Sequence, residues 1–275
     1  MISIDKRSIT GTERPIIIAE AGVNFRNDIQ LAKAIIEQAA MTGADAVKFQ
    51  THLPEAEMVE SEMRSLDMGN LYERMNVYEL SMDEHQELKS HCEEHNISFL
   101  STPFSPEAVE RLEKVGVSAY KVGSGELTNH HLLRTIAETG KPMIVSTGMH
   151  DMDTIRKTAT LLEKYTSEFM FLYCVSEYPT EPADFNLGVI ERMRREFDVP
   201  IGFSDHSTGI KAAVIAMAQG ATLVEKHFTI DRRLPGGDQE VSIEPDELRK
   251  LVEYATLCRE TRGNKKRVRD SEAAI

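Results

Sequence analysis

The stretch SFLSTPFSPEAVERLEKVGVSAYKV, residues 98–122, carries the fold in a single unit. Ser98–Thr102 is a short apolar run ending in polar residues, Pro106–Val115 is amphipathic at helical spacing, and Ala119–Val122 is a second short run. Ser105-Pro106-Glu107 places a capping hydroxyl ahead of a proline at the first helical position. The same unit recurs on both sides of this stretch. Strand patterns fall at 16–21, 44–50, 98–102, 119–122, 143–147, 169–175, 200–204 and 222–227. Helical patterns lie between and after them at 29–41, 82–95, 106–115, 129–139, 153–164, 187–195, 210–219 and 244–261. Gly140 and Gly220 stand where two of the helices should end. Eight strand–helix units in about 250 residues is the arithmetic of a (β/α)8 TIM barrel, an α/β fold. The strands read as nearly continuous apolar runs, as expected when both faces are covered. An open doubly wound sheet is the alternative. It would more often carry a glycine-rich phosphate loop after its first strand, and residues 19–24 hold no GxGxxG.

Composition narrows the function classes. The chain has 275 residues, 41% of them hydrophobic, enough to bury one large core. With 32 basic and 45 acidic residues, its net charge of −13 speaks against nucleic acid as a general partner. The three cysteines, Cys92, Cys174 and Cys258, are widely spaced, which argues against a disulfide framework and fits a reducing cytoplasm. No run of 18 apolar residues is present and the first residues carry no apolar signal core, so no membrane role is expected. Two segments break the rhythm: residues 51–80, a long connection expected to be a lid or to hold further helices, and the basic end of the chain.

Polar residues collect at one end of every strand. Barrel chemistry sits at the C-terminal strand ends, and here those ends carry Glu20, Lys48, Gln50, Thr102, Lys121, Ser124, Glu126, Ser146, Ser204, His206, Glu225 and His227. The opposite ends are plain, and this asymmetry points to an enzyme. Residues two apart share a face of a strand, so Ser204 lies with His206 and Glu225 with His227. Two imidazoles on neighbouring strand tips can chelate one divalent metal, or each can be a satisfied buried histidine. Lys48 and Lys121 can hold a phosphate or carboxylate, or one can form a Schiff base with a carbonyl. Thr102, Ser124, Ser146 and Ser204 would supply neutral donors to the same anion. His85, His91 and His95 read as surface residues, and Cys174 has no base placed beside it.

The sequence resembles the barrel domain of the sialic acid synthase family over about residues 16–260. The likeness rests on Ala44–Thr51, Phe99–Phe104, Tyr120–Glu126, Ser146–Met149, Gly202–Ser207 and Glu225–Thr229, six motifs in the right order. It implies a transferase that condenses phosphoenolpyruvate with an N-acylated hexosamine aldehyde, N-acetylmannosamine or a related sugar, to give a sialic acid-type 2-keto-3-deoxy nonulosonic acid and phosphate. It also implies a divalent cofactor, manganese first and magnesium or cobalt otherwise, on His206 and His227. Lys48, Thr102, Lys121, Ser124, Ser146 and Ser204 would hold phosphoenolpyruvate. Glu20, Gln50, Tyr178 and Asp238 would meet the sugar, and Glu126 would lie beside the reacting centre. Glu126, Lys121 and Glu20 are therefore the expected catalytic residues. A homodimer in the cytoplasm is expected. The sequence departs from the family at Phe25, at Ser176 and in the loop Pro235–Gln239, all around the expected sugar site. The expected domains are residues 1–263 as the barrel and 264–275 as a basic tail or the start of a linker, without the family's C-terminal antifreeze-like domain. A non-catalytic sugar-phosphate-binding barrel and a Schiff-base lysine aldolase are the competing readings.

Overall fold

The computed structural model describes residues 2–273 apart from 6, 10, 12 and 264 and the side chain of Arg74. Its eight parallel strands close into the barrel that the repeat implies: β3 (Ile16–Glu20), β4 (Ala46–Thr51), β5 (Ser98–Pro103), β6 (Tyr120–Val122), β7 (Met143–Ser146), β8 (Phe169–Cys174), β9 (Ile201–Asp205) and β10 (Leu223–His227). β10 pairs with β3 to complete the circle, with His227 opposite Glu20. Before them, β1 (Ile2–Ile4) and β2 (Arg7–Ile9) form an antiparallel hairpin.

The outer layer is α1 (Ile29–Thr42), α5 (Met82–Glu94), α6 (Pro106–Val115), α7 (His130–Glu138), α8 (Met152–Leu162), α9 (Gly188–Glu196), α10 (Lys211–Ala218) and α11 (Pro245–Thr261). Their starts are written in the sequence. Asp28, Ser105, Asn129 and Asp151 each cap a first turn, and Ser81 forms a reciprocal capping box with Glu84. The long connection after β4 folds into α2 (Pro54–Glu57), α3 (Glu60–Ser65) and α4 (Gly69–Tyr78), and a short α12 (Asp270–Ala273) follows α11. No helix among the described residues is long and apolar enough to cross a membrane.

Strand parity divides the core in two. Odd positions such as Ile17, Val47 and Val145 face the helices in one cluster. Ile16, Ile18, Ala46, Leu100, Ile144, Met170, Leu172 and Leu223 point inward in a second. Ile2, Ile4 and Ile9 of the hairpin join that inner cluster, so the hairpin plugs the N-terminal end of the barrel. The inward parity then continues upward into polar side chains: Ile18 is followed by Glu20, Ala46 by Lys48, Leu100 by Thr102, Ile144 by Ser146 and Leu223 by Glu225. Apolar layers below and polar residues above therefore come from one alternation.

Gly202 sits where this inner packing is tightest. A Cβ there would lie 2.5 Å from Leu172 Cδ2 and 2.7 Å from the Leu223 carbonyl. Gly202→Ala is expected to cost about 1–3 kcal/mol by overpacking. Thermal unfolding followed by circular dichroism should show a midpoint lowered by several degrees, and an unchanged midpoint would contradict this packing.

His85 is not a surface residue. It is fully buried, with Nδ1 on the Ser81 carbonyl at 2.8 Å and Nε2 on Thr51 Oγ1 at 2.9 Å. Thr51 points outward from β4, so this imidazole ties strand to helix, and burial lowers its pKa.

Candidate active site

The polar layer surrounds a cavity of about 620 Å³ at the C-terminal mouth of the barrel. Its floor is a charge cluster. Lys48 Nζ lies 2.8 Å from Glu20 Oε2, 2.9 Å from Thr102 Oγ1 and 3.4 Å from Glu225 Oε1. Lys121 Nζ donates to Ser146 Oγ at 2.7 Å and to the Val122 carbonyl at 3.1 Å, and stands 3.5 Å from Glu225 Oε2. Ser204 Oγ donates to Glu225 Oε2 at 2.9 Å. Glu225 is thus the shared counter-charge of two buried lysines.

The two carboxylates differ because their surroundings differ. Burial raises the Glu20 pKa, and the Glu225 charge adds to this against the pull of Lys48, leaving Glu20 at about 7. Burial also acts on Glu225, but Lys121, Lys48 and the Ser204 hydroxyl outweigh it and hold that group down at about 2. Burial lowers Lys121, whereas for Lys48 the two carboxylates outweigh burial and raise it. At neutral pH the floor therefore holds one firmly ionised carboxylate and one poised to carry a proton.

His206 and His227 face each other across the cavity, with ring centroids 5.6 Å apart. His206 Nδ1 donates to the Val175 carbonyl at 2.7 Å, which leaves its Nε2 lone pair toward the cavity, 3.0 Å from the Tyr178 hydroxyl. His227 Nδ1 is buried with no hydrogen-bond partner and lies 3.5 Å from Asp238 Oδ2. Burial, with the His227 neighbour in the first case and the lysines in the second, lowers the pKa values to about 4 for His206 and about 3 for His227. Both rings are neutral at pH 7, as metal ligation requires. The donor set of two neutral imidazoles and a carboxylate, with one orphaned nitrogen, fits a divalent cation. Gly22 makes room for it: at φ +52°, a Cβ there would fall 2.7 Å from Asp238 Oδ2 and 3.5 Å from both Glu20 Oε1 and His227 Nδ1. Among the described residues, the trio whose ligand atoms all lie within 4.8 Å of one another is Glu37, His91 and His95, whereas His206, His227 and Asp238 are spread more widely. The tighter trio belongs to α1 and the end of α5, not to the residues lining the mouth.

On the remaining sides, Gly148 N–H donates to Ser124 Oγ at 3.0 Å and to Cys174 Sγ at 3.1 Å. Gln50 Nε2 donates to Glu20 Oε1 at 3.1 Å, and its carbonyl oxygen is 3.1 Å from His52 Nε2. His52 in turn stacks on Phe104 and meets Glu57 at 2.9 Å.

Glu20, Lys48, Gln50, Thr102, Lys121, Ser124, Ser146, Tyr178, Ser204, His206, His227 and Asp238 all line the one cavity. Glu126 is not among the residues lining it but lines a smaller adjoining cavity, with which the mouth shares Met75 and Phe104. After β6 the chain enters a 3-10 turn over Ser124–Glu126, and the Glu126 carboxylate swings out to accept a hydrogen bond from Asn129 Nδ2 at 2.7 Å. Glu225 occupies the position between the lysines instead. Its inward parity with His227 was the signal for it. His52 also lines the cavity, and only its place at the end of β4 hinted at this.

Comparison with known proteins agrees with the geometry. The model of the NeuB family matches residues 35–267. The chain is 36% identical to the N,N'-diacetyllegionaminic acid synthase of Legionella pneumophila, over 94% of this chain and 76% of that protein. It is 37% identical to the N-acetylneuraminate-9-phosphate synthase of Mus musculus, over 94% and 74%. It is also similar to the crystal structure of an N-acetylneuraminic acid synthetase from Leptospira borgpetersenii, with a TM-score of 0.87 and 36% identity, over 96% of this chain and 90% of that one.

Proposed function

The chain belongs to the NeuB family, whose synthases are carbon–carbon bond-forming enzymes, and on that premise we propose that it condenses phosphoenolpyruvate with the aldehyde of an N-acylated amino sugar. The products are a 2-keto-3-deoxy nonulosonic acid and phosphate. The observation that carries this reading is the pairing of two buried lysines, ringed by Thr102, Ser146 and Ser204, with two neutral histidines across the same cavity.

Lys48 and Lys121 bind the anionic groups of phosphoenolpyruvate, the hydroxyls supplying neutral donors around them. A divalent cation held by His206, His227 and Asp238, with manganese, magnesium or cobalt as candidates, would polarise the aldehyde oxygen as a Lewis acid. Gln50 and Glu20 orient the sugar, and Glu20, with its pKa near 7, holds a proton it can deliver to the oxygen that becomes a hydroxyl. C3 of phosphoenolpyruvate attacks the aldehyde carbon, leaving a cation at C2. Glu225 stays ionised and stabilises that positive charge until water adds and phosphate departs with C–O cleavage.

Phosphate release from phosphoenolpyruvate, measured across acylated hexosamines with manganese and with EDTA, tests the reading. Sugar-dependent release that EDTA abolishes is expected. No phosphate release, with condensation from pyruvate that survives EDTA and a borohydride-trapped adduct on lysine, would replace it with a Schiff-base aldolase, for which the burial-lowered Lys121 amine is the candidate.

A further inference from the structure

Glu37, His91 and His95 take no part in the barrel mouth, yet they gather as a donor set of their own in the outer layer. α1 and α5 meet there through two successive rungs. Lys33 Nζ lies 2.5 Å from Glu87 Oε1, and four residues further along both helices Glu37 Oε1 lies 3.1 Å from His91 Nε2. His95 stands four residues after His91, so the two imidazoles share one face at the end of α5, with ring centroids 4.6 Å apart. The His91 side chain is 15% exposed, and His95 lies open at the surface.

Each part of this arrangement suits a cation. Two imidazoles at this spacing are how a helix presents nitrogen ligands to zinc, and Glu37 brings an oxygen from the neighbouring helix. Ligands around tetrahedral zinc stand about 3.3–3.5 Å apart, so the His91–Glu37 pair is already near that separation. His95 closes the third side by turning an exposed side chain. His91 Nδ1 stands 3.6 Å from Glu94 Oε2, a carboxylate placed to orient the ring when Nε2 turns its lone pair to a metal. The carbonyl end of α5 adds a partial negative charge beside both rings. Cys92, between the two histidines, is fully buried, and burial pushes its thiol pKa up, so the donor set is two nitrogens and one oxygen. Cys92 also stands where hydrolytic zinc helices of this spacing carry a glutamate base, so the trio binds a metal without that group.

We propose that Glu37, His91 and His95 form a second metal site, for a divalent ion of the zinc type, that clips α1 to α5 independently of the mouth. Its nitrogen ligands favour zinc over manganese or magnesium. The ligands come together only in the folded chain, so zinc bound there stabilises it. α5 also holds β4 through His85 and Thr51, so the clip braces the layer behind that strand. The site needs neither sugar nor phosphoenolpyruvate and stands whether or not the condensation does.

The test is calorimetric titration of zinc chloride into the full chain after removal of metal with EDTA. His206→Ala/His227→Ala silences the mouth and isolates the outer trio. In that background zinc should bind with a Kd tighter than about 100 µM and raise the unfolding midpoint by several degrees. Adding His95→Ala or Glu37→Gln should weaken zinc at least about tenfold and remove the rise in midpoint. His131→Ala, at an exposed histidine of α7, should change neither. In the otherwise wild-type chain, His95→Ala and Glu37→Gln should each remove one equivalent of zinc, which keeps the comparison valid if the double variant does not fold. Zinc affinity unchanged in both variants overturns the site. A Kd weaker than about 100 µM, or an equal loss in His131→Ala, would mean adventitious binding to surface histidines and overturns it too.

Discussion

Alanine at either His206 or His227 is expected to lower sugar-dependent phosphate release by about a thousandfold or more, the equivalent of about 4 kcal/mol of lost transition-state stabilisation. Each ring offers a neutral nitrogen to the cavity, and neither has a substitute close by. His206 Nδ1 is tied to the Val175 carbonyl, so only Nε2 is free to ligate. His227 keeps a buried nitrogen without a hydrogen-bond partner, 3.5 Å from Asp238. The cavity opens to solvent above them, so water can fill the space that each imidazole leaves and the barrel should stay folded. Circular dichroism should be unchanged and the unfolding midpoint should move by a few degrees at most. Manganese affinity, read by titration calorimetry, should fall with activity in both variants. A variant that keeps wild-type turnover would remove the metal assignment, and one that loses turnover but binds manganese normally would move the metal elsewhere.

Much of this site was legible because a barrel strand obeys a period of two. Once Ile16 and Ile18 are placed inward, Glu20 must follow them, and the same step carries Ala46 to Lys48 and Leu223 to Glu225 and His227. Helix ends were equally readable where a side chain does the capping, as at Asp28 and Ser105. Parity stops where the strand stops. Glu126 stands four residues beyond the last strand residue of β6, and the 3-10 turn between them sets its direction by backbone bonds that periodicity cannot see. The helices α2 to α4 escaped assignment for a related reason. α2 and α3 are only four and six residues long, none of the three has a side-chain cap bond, and α3 buries no residue. His85 looked exposed among charged neighbours, yet its turn of α5 faces Thr51 across the layer. That contact joins residues 34 apart and is a property of packing, not of local pattern.

Removal of the Glu225 charge should produce the second large effect, and one that distinguishes stability from chemistry. Glu225→Leu leaves Lys48 and Lys121 buried without their shared counter-charge, with Glu20 as the carboxylate remaining beside Lys48. Stripping the shared partner from a buried charge cluster costs about 3–5 kcal/mol, so the unfolding midpoint should drop by about 10 °C. The conservative Glu225→Gln change keeps an acceptor for Ser204 and isolates the charge. Its sign with pH follows from the lowered pKa. A carboxylate at about 2, below its ordinary 4.5, contributes stability above pH 4.5 and loses that contribution as pH falls toward 2. The gap between wild type and Glu225→Gln should therefore be about 3 kcal/mol at neutral pH and should close in acid. Phosphoenolpyruvate adds the decisive contrast. Its anionic groups pair with the lysines that Glu225 no longer neutralises, so the ligand should raise the midpoint more in the variant than in the wild type. Turnover should nonetheless fall by about a hundredfold, because the negative charge that stabilises the C2 cation is gone. Equal ligand-induced shifts in the two proteins would mean that the lysines do not hold the anion. A variant as stable as the wild type at neutral pH would mean that Glu225 is not their counter-charge.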